Sequence, residues 1–311
     1  MSVWRRRDIP DLSGRTAVVT GANSGIGLSV TRALALSGAH VVMACRDQRR
    51  GAGALGLLTG AGVPAERLSL RLLDLADLGS VDSFVDGFEH ESLDLLINNA
   101  GVLGVPRRKT VDGFEMHFGT NHLGHFALTA GLLPHLLAAP APRVVTLTSI
   151  FGYFGFLDFS NLNGEMVYFR WMAYAQSKLA NLLFGWELAR RAEAAGLSLR
   201  SLAAHPGYSR TNLFTGGLRR HGPGIDARVL GYTSWMFAQS SDMGALPVLY
   251  AATKPDAPNG ALIGPTPWLG QWCGFPAQVR PFVPLPDHDP AVAEQLWSES
   301  ERLTGRTFAQ L

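Results

Sequence analysis

A doubly wound parallel β-sheet with helices on both faces, a three-layer α/β/α arrangement in a single domain, is the fold this sequence predicts. Three observations predict it. Short runs of apolar and β-branched residues are nearly continuous instead of alternating, as strands covered on both faces must be. Helical stretches separate those runs, in the repeated order of βαβ units. The first run passes directly into a glycine-rich turn and then a helix, TGANSGIG from Thr20 to Gly27.

Taken in order, the strands are expected at 16–20, 40–44, 69–73, 93–98, 143–149 and 199–204, with a short strand at 261–263 closing the sheet. Helices are expected between them at 26–36, 81–88, 114–137 and 174–195. Residues 207–224 shift to Gly, Arg and Thr and read as a mobile loop or short helices. Residues 265–290, rich in Pro, Trp and Gly, read as irregular. Pro290 opens an amphipathic helix over 289–303, the position where proline suits a first helical turn. Neither an internal repeat nor a dividing linker interrupts the 311 residues, a length normal for one elaborated α/β domain.

Composition narrows the function. Apolar residues make up 47% and charged residues 17%, the balance of a globular chain able to bury a core. The 27 basic against 25 acidic residues leave a net +2. That gives no overall reason to expect a nucleic acid or an anionic membrane as partner. Arg5, Arg6 and Arg7 read as a solvated terminal tail. The opening MSVWRRRDIPDLSGR has no apolar stretch of the signal-peptide kind. Residues 118–142 lack Asp, Glu, Lys and Arg. Asn121, His122, His125, Pro134 and His135 interrupt the stretch, so it reads as a helix buried in protein rather than a membrane span. Cys45 and Cys273 are the two cysteines, which fits a reducing, cytoplasmic setting and makes neither a disulfide framework nor a zinc site.

The glycine turn carries the first functional signal. Gly21 permits a tight turn, Gly25 lets backbone approach a phosphate, and Gly27 lets helix and strand pack closely. The N–H groups opening the next helix then face an anion. Asn23, Ser24 and Ile26 fill the turn between those glycines. The spacing differs from G-x-G-x-x-G, and a glycine-rich turn alone also fits an ordinary strand-to-helix junction or the first turn of a methyltransferase.

Further pieces fall at strand and helix ends: NNAG (Asn98–Gly101), Asp74 with Leu75, Asn121 in TNHLGHF, Ser149, YAQSK (Tyr174–Lys178), and HPG with Thr211 beyond it. Together with TGxxxGxG these motifs resemble the short-chain dehydrogenase/reductase family over about residues 12–265. ACRD, the long interval from Ser149 to Tyr174, and HPGYSRTNL are most similar to its retinol dehydrogenase-like branch. The resemblance implies a Rossmann-type fold and an oxidoreductase using NAD(P). It implies 14–205 as dinucleotide-binding and catalytic core after an N-terminal tail, 1–13. Residues 206–311 then supply a substrate loop, the last strand and a C-terminal extension. It implies Tyr174 as proton donor, Ser149 as hydrogen-bonding partner of the substrate oxygen, and Lys178 as holder of the nicotinamide ribose and tuner of Tyr174. It further implies that Asn121 holds a water linking Lys178 to solvent. Asp74, helped by Leu75, is expected to meet the adenine edge, and it could equally cap the following helix, since the two roles are compatible. By the same resemblance, Asn98, Ala100 and Gly101 are expected to line the cofactor, and Pro206, Gly207 and Thr211 to wrap its nicotinamide end. The family's frequent pairing through long helices makes a homo-oligomer possible.

Physical reasoning about the reactive pair runs in parallel. Tyr174 and Lys178 are four apart, hence on one helix face. A free tyrosine titrates near pH 10. An ammonium about 4 Å away at an effective dielectric near 20 favours the phenolate by roughly 4 kcal/mol. Before desolvation, that would lower the phenol by about three units.

The cofactor choice rests on Arg46. Dinucleotide folds end the second strand with an acid for a ribose 2′-hydroxyl and use a nearby arginine for a 2′-phosphate. Arg46 ends the run VVMAC, with Arg49 and Arg50 nearby. A guanidinium can fork onto phosphate. Asp47 is expected to cap the following helix. NADP is therefore expected over NAD, with a merely solvated Arg46 as the other reading.

His117, His122 and His125 lack the Cys and carboxylate company of a metal site, so structural or surface roles are expected. G-x-S-x-G is absent, which argues against nucleophile-elbow chemistry, and His205 is expected to pack beside the cofactor loop. Aromatic residues crowd the far side: Phe151, Tyr153, Phe154, Phe156, Phe159, Trp171, Phe214, Trp235, Trp268 and Trp272. They suit either core and an oligomer interface or an apolar pocket for a lipophilic aldehyde, ketone or alcohol. A sensor that kept the fold and lost catalysis is the alternative, although such proteins would have no need of an intact Tyr–Lys pair.

Overall fold

Strand β1 (Thr16–Thr20) is central because its neighbours lie on both sides. It pairs in parallel with β2 (His40–Cys45) and with β4 (Leu95–Asn98). A computed structural model of the chain describes residues 3–208, 239–266, 271–281 and 289–311. Within these, eight strands form one sheet, completed by β3 (Leu68–Leu72), β5 (Arg143–Leu147), β6 (Arg200–Ala204), β7 (Leu262–Pro265) and β8 (Pro276–Gln278). Their order is β3-β2-β1-β4-β5-β6-β7-β8. Every pairing is parallel except β7 with β8. The order reverses between β1 and β4, the switch point where open α/β sheets gather ligands.

Alternate residues of the buried strands serve opposite layers. Ala17 and Val19 join the core beneath α1 (Gly25–Leu36), α2 (Gln48–Gly60) and α6 (Ser241–Thr253). Val18 joins the core beneath α3 (Leu78–Asp86), α4 (Gly124–Ala138), α5 (Arg170–Ala194) and α7 (Pro290–Thr304). The three-layer expectation therefore holds. None of the described helices is long and apolar enough to cross a membrane.

Several sequence expectations change. Strands β4 and β5 are shorter than 93–98 and 143–149, which leaves Thr148 and Ser149 beyond the strand end. The stretch 265–290 holds strand β8, read as irregular from its proline content. A three-residue edge strand tolerates Pro276, because an edge strand can spare a donor. Helix 114–137 is interrupted: Phe118–Leu123 is a π-helical turn running into α4. The basic tail is docked. Trp4 meets Tyr250 edge-on at 5.5 Å, the Arg5 guanidinium lies 5.3 Å from the Phe275 ring centre, and Leu12 is buried. The reading of 207–224 lies almost wholly outside the described residues.

Candidate active site

The cleft starts where β1 ends. Gly21 has φ +66°, open to glycine at little cost. A Cβ there would meet Ala100 Cα at 3.1 Å. Gly25 opens α1 with φ +55°. A Cβ on Gly27 would strike the Gly21 carbonyl and come within 2.5 Å of Asn99 Nδ2. Ser24 precedes α1 without a side-chain cap bond, so the helix's first N–H groups remain turned to the cleft. Gly21, Asn23, Ser24, Gly25, Ile26 and Gly27 all line it.

The β4 end supplies the facing wall. Asn99 donates from Nδ2 to the Thr20 carbonyl at 2.7 Å, and the N–H groups of Asn99 and Ala100 both donate to Thr20 Oγ1 at 2.9 Å. Asn99, Ala100 and Gly101 line the cleft, but Asn98 does not. Asn98 is fully buried and spends its amide on Thr129 Oγ1 at 3.0 Å. The asparagine facing the cleft is thus the second of NNAG; a strand's alternation turns its neighbour into the core.

A buried chain of hydrogen bonds joins this turn to the catalytic helices. His125 donates from Nδ1 to the Asn121 carbonyl at 2.8 Å, and its Nε2 lies 2.9 Å from Thr20 Oγ1. Burial pushes His125 down to about 3, so the ring is neutral and the Thr20 hydroxyl donates to Nε2. Asn121 also accepts from Val102 N–H at 2.7 Å and donates to Ser177 Oγ at 2.9 Å. It sits inside the π-helical turn and is bonded to Val102 of the cleft wall and to Ser177 of α5. His117, His122 and His125 are all buried, and among the described residues no group of metal-binding side chains forms.

Beyond β5, Ser149, Tyr174 and Lys178 line the cleft together. Ser149 lies beside the Tyr174 phenol and favours its charged form. Lys178 is buried, donates to the Leu147 carbonyl at 3.0 Å, and stands 6.0 Å from the Tyr174 ring centre. The sequence expectation that Lys178 pulls Tyr174 down is not met. Burial pushes Tyr174 up to about 12, with Ser149 opposing it, and burial pushes Lys178 down to about 8. Desolvation disfavours both charges, and the ammonium is committed to the Leu147 carbonyl.

The remaining expected residues are spread along the same sheet edge. Pro206 and Gly207 line the cleft, and Thr211 lies outside the described residues. Arg46 is exposed just beyond β2, outside the cleft lining, with no partner among the described residues. Asp47 caps α2 by accepting from Arg50 N–H at 2.9 Å. Asp74 holds Ala76 N–H at 3.0 Å, whereas the cap of α3 is Asp77. Leu75 is buried against α4, where a Cβ on Gly124 would strike its carbonyl. Neither Asp74 nor Leu75 lines the cleft.

Of the aromatic group, Phe151 and Trp272 line the cleft, joined by Tyr208, which the sequence reading passed over. Trp171 stacks on Phe151 at 6.3 Å, and Phe151 meets Tyr174 edge-on at 6.0 Å. Tyr153 is core, while Phe154 and Phe156 are exposed. Phe214, Trp235 and Trp268 lie outside the described residues.

A glycine-floored cleft at a sheet's switch point, walled by Ser, Tyr and Lys, defines a dinucleotide-dependent hydride-transfer fold. Residues 15–218 match the short chain dehydrogenase family. Mouse retinol dehydrogenase 14 is 39% identical over 94% of this chain and 87% of its own. Human retinol dehydrogenase 13 is 38% identical over 94% and 86%. A crystal structure of an uncharacterised protein from Mycobacterium paratuberculosis is similar at TM-score 0.81 and 42% identity, covering 99% of both chains. A Beutenbergia cavernae structure described as an NAD(P)-dependent gluconate 5-dehydrogenase, with NADP at low occupancy, matches at TM-score 0.62 and 26% identity. It covers 81% of this chain and 95% of that one. The chain belongs to the short-chain dehydrogenase/reductase family, in its retinol dehydrogenase-like branch, and is an NAD(P)-dependent oxidoreductase acting on CH–OH groups.

Proposed function

We propose that this protein uses NADP(H) to interconvert a lipophilic aldehyde or ketone with its alcohol, Tyr174 serving as general acid and base. The observation that carries the proposal is that Ser149, Tyr174 and Lys178 share the wall of a cleft floored by the glycine turn. The turn fits a pyrophosphate: Gly21 and Gly27 let β1, α1 and the Asn99–Ala100 wall pack too closely for a Cβ, and α1's opening N–H groups face the cleft. When bound, the nicotinamide supplies or accepts the hydride at the carbonyl carbon.

In reduction, the Tyr174 phenol, pushed up to about 12, is protonated at neutral pH and gives its proton to the substrate oxygen. Ser149 donates a hydrogen bond to that oxygen as charge develops. In oxidation the same phenol must first lose its proton, and Ser149 favours that loss against the opposing effect of burial. Lys178, 3.6 Å from where a Cβ on Gly101 would sit, also faces the ribose side of the turn. Asn121 positions both through Val102 and Ser177.

Arg46 supports NADP over NAD, because it is exposed and unpaired at the β2 end while Asp47 is spent on capping. Asp74 and Leu75, after the adjacent β3, are assigned to the adenine edge. Phe151, Tyr208 and Trp272 supply the apolar substrate wall, in keeping with relatives named retinol dehydrogenase and polyprenol dehydrogenase. The test is Tyr174→Phe. Turnover of lipophilic aldehydes with NADPH should fall by roughly 10²–10⁴-fold, with NADPH affinity kept within about twofold. Unchanged turnover would refute the assignment of Tyr174.

A further inference from the structure

Gln271 has φ +64°, the one non-glycine residue among those described that adopts the left-handed region. Such a conformation is uncommon for a residue with a side chain, and it persists only where surroundings hold it. Gln271 lies on the excursion between β7 and β8, is buried, and directly precedes the half-exposed Trp272 of the cleft wall.

Its amide is held on every side. Nε2 donates to the Arg280 carbonyl at 2.7 Å, which fixes the amide's orientation and leaves Oε1 as acceptor. Tyr153 donates its hydroxyl to Oε1 at 3.1 Å, and His205 Nε2 lies 3.0 Å away. Gly207 N–H donates to His205 Nδ1 at 3.3 Å, and burial keeps that ring neutral, so the proton sits on Nε2 and points at Gln271. Each donor therefore meets an acceptor with no alternative tautomer or amide flip. The three elements joined are those that frame the substrate side. Tyr153 follows Ser149 on the short helical turn Ile150–Phe154. His205 opens the Pro206–Gly207 turn. The Trp272 carbonyl accepts from Tyr208 N–H at 2.7 Å and packs so closely on Gly207 that a Cβ there would collide with it.

We propose that Gln271 is a positioning residue that holds Trp272 in place as the specificity-determining wall of the cleft. The backbone twist at 271 aims Trp272 across the mouth, and the side chain locks that twist to the Ser149 segment and the His205 turn. The inference rests on the oxidoreductase reading for its consequence in turnover, and on the structure alone for the placement of Trp272.

Gln271→Gly separates the two parts, because glycine accepts the left-handed backbone while deleting every side-chain bond. The chain is labelled with 5-fluorotryptophan, and the Trp272 fluorine line is assigned by its loss in Trp272→Phe. In Gln271→Gly that line should move toward the solvent-exposed position. Tyr153→Phe, which removes one bond and preserves packing, should move it part of the way. The ratio of kcat/KM for a bulky over a short lipophilic aldehyde should fall about tenfold in Gln271→Gly, mainly through KM, with NADPH affinity within twofold. A Trp272 line unmoved in both variants overturns the proposal whatever turnover shows. A moved line with unchanged bulky-over-short discrimination overturns the specificity role. Absence of turnover with every aldehyde in the unsubstituted protein would strike the oxidoreductase reading, and the fluorine line would still decide the placement.

Discussion

Lys178 Nζ stands 6.0 Å from the centre of the Tyr174 ring, and the two groups are shifted in opposite directions by the same cause. Burial pushes the phenol up to about 12 and the ammonium down to about 8, so each is driven toward its neutral form.

A stability signature follows for Lys178. Its folded value lies below its ordinary 10.5, so between about pH 8 and 10.5 the unfolded chain binds more protons and stability rises with pH. Below pH 8 the folded state carries the full cost of a buried charge. Lys178→Met should therefore stabilise the protein at pH 7 by roughly 1–3 kcal/mol, while abolishing turnover. The Leu147 carbonyl keeps its bond from Asn181 at 2.9 Å. The gain should shrink toward zero by about pH 10.5, checked by thermal melts of both proteins across that range. A constant difference would contradict the assignment.

Gly27→Ala sets two known effects against each other. Alanine in a helix interior is favoured over glycine by about 1 kcal/mol. The new methyl, however, strikes the Gly21 carbonyl and lies 2.5 Å from Asn99 Nδ2, and backbone cannot yield as a flexible side chain would. Overpacking at about 1–3 kcal/mol wins. The expected result is a lowered melting temperature and NADPH affinity reduced at least tenfold by titration, since α1 must move off the turn.

The strands around β1 were legible because parallel strands covered on both sides write continuous apolar runs. β1 matches its expected bounds residue for residue. Ser149, Tyr174 and Lys178 were legible because each falls at an element end or on one helix face. What was not legible depended on contacts distant in sequence. Asn98 and Asn99 are chemically identical, and only the Thr20 contacts tell which faces the cleft. Helix α6 carries Pro247, a local breaker signal overridden by packing on the sheet. The direction of the Tyr174 shift needed the burial around it, which spacing alone does not report.

Arg46→Asp tests the cofactor assignment at an exposed position where folding has little at stake. Removing a charge-assisted contact worth about 1.5–3 kcal/mol and adding a repelling carboxylate should cut kcat/KM with NADPH by roughly 10–100-fold. Values with NADH should hold or rise. Asp47→Ala, which removes only the α2 cap, should lower the melting temperature slightly and leave the NADPH-to-NADH ratio alone. Steady-state kinetics with both cofactors settles it, and an unchanged ratio in Arg46→Asp removes Arg46 as selector.

Glu115 is a buried carboxylate whose stability role can be read from pH. It takes His117 Nδ1 at 2.8 Å, Phe118 N–H at 2.7 Å and the Tyr168 hydroxyl at 3.2 Å. Burial alone would push its carboxyl up, but His117 and the backbone N–H groups outweigh burial and hold it below its ordinary value. A depressed carboxylate stabilises the fold above its unfolded value, and that contribution is lost as pH falls through the folded value. Glu115→Ala leaves the buried His117 and Phe118 N–H groups unmatched and should cost roughly 3–5 kcal/mol at pH 7; Tyr168→Phe should cost only about 1–2 kcal/mol. The cluster ties the insertion carrying Tyr168 to Val105, whose carbonyl also accepts from the Tyr168 hydroxyl at 3.2 Å. Melts of Glu115→Gln against the unsubstituted protein should converge as pH drops below the ordinary carboxylate range. Parallel curves down to pH 3 would mean that folding does not shift the Glu115 carboxyl, against the depressed value assigned to it.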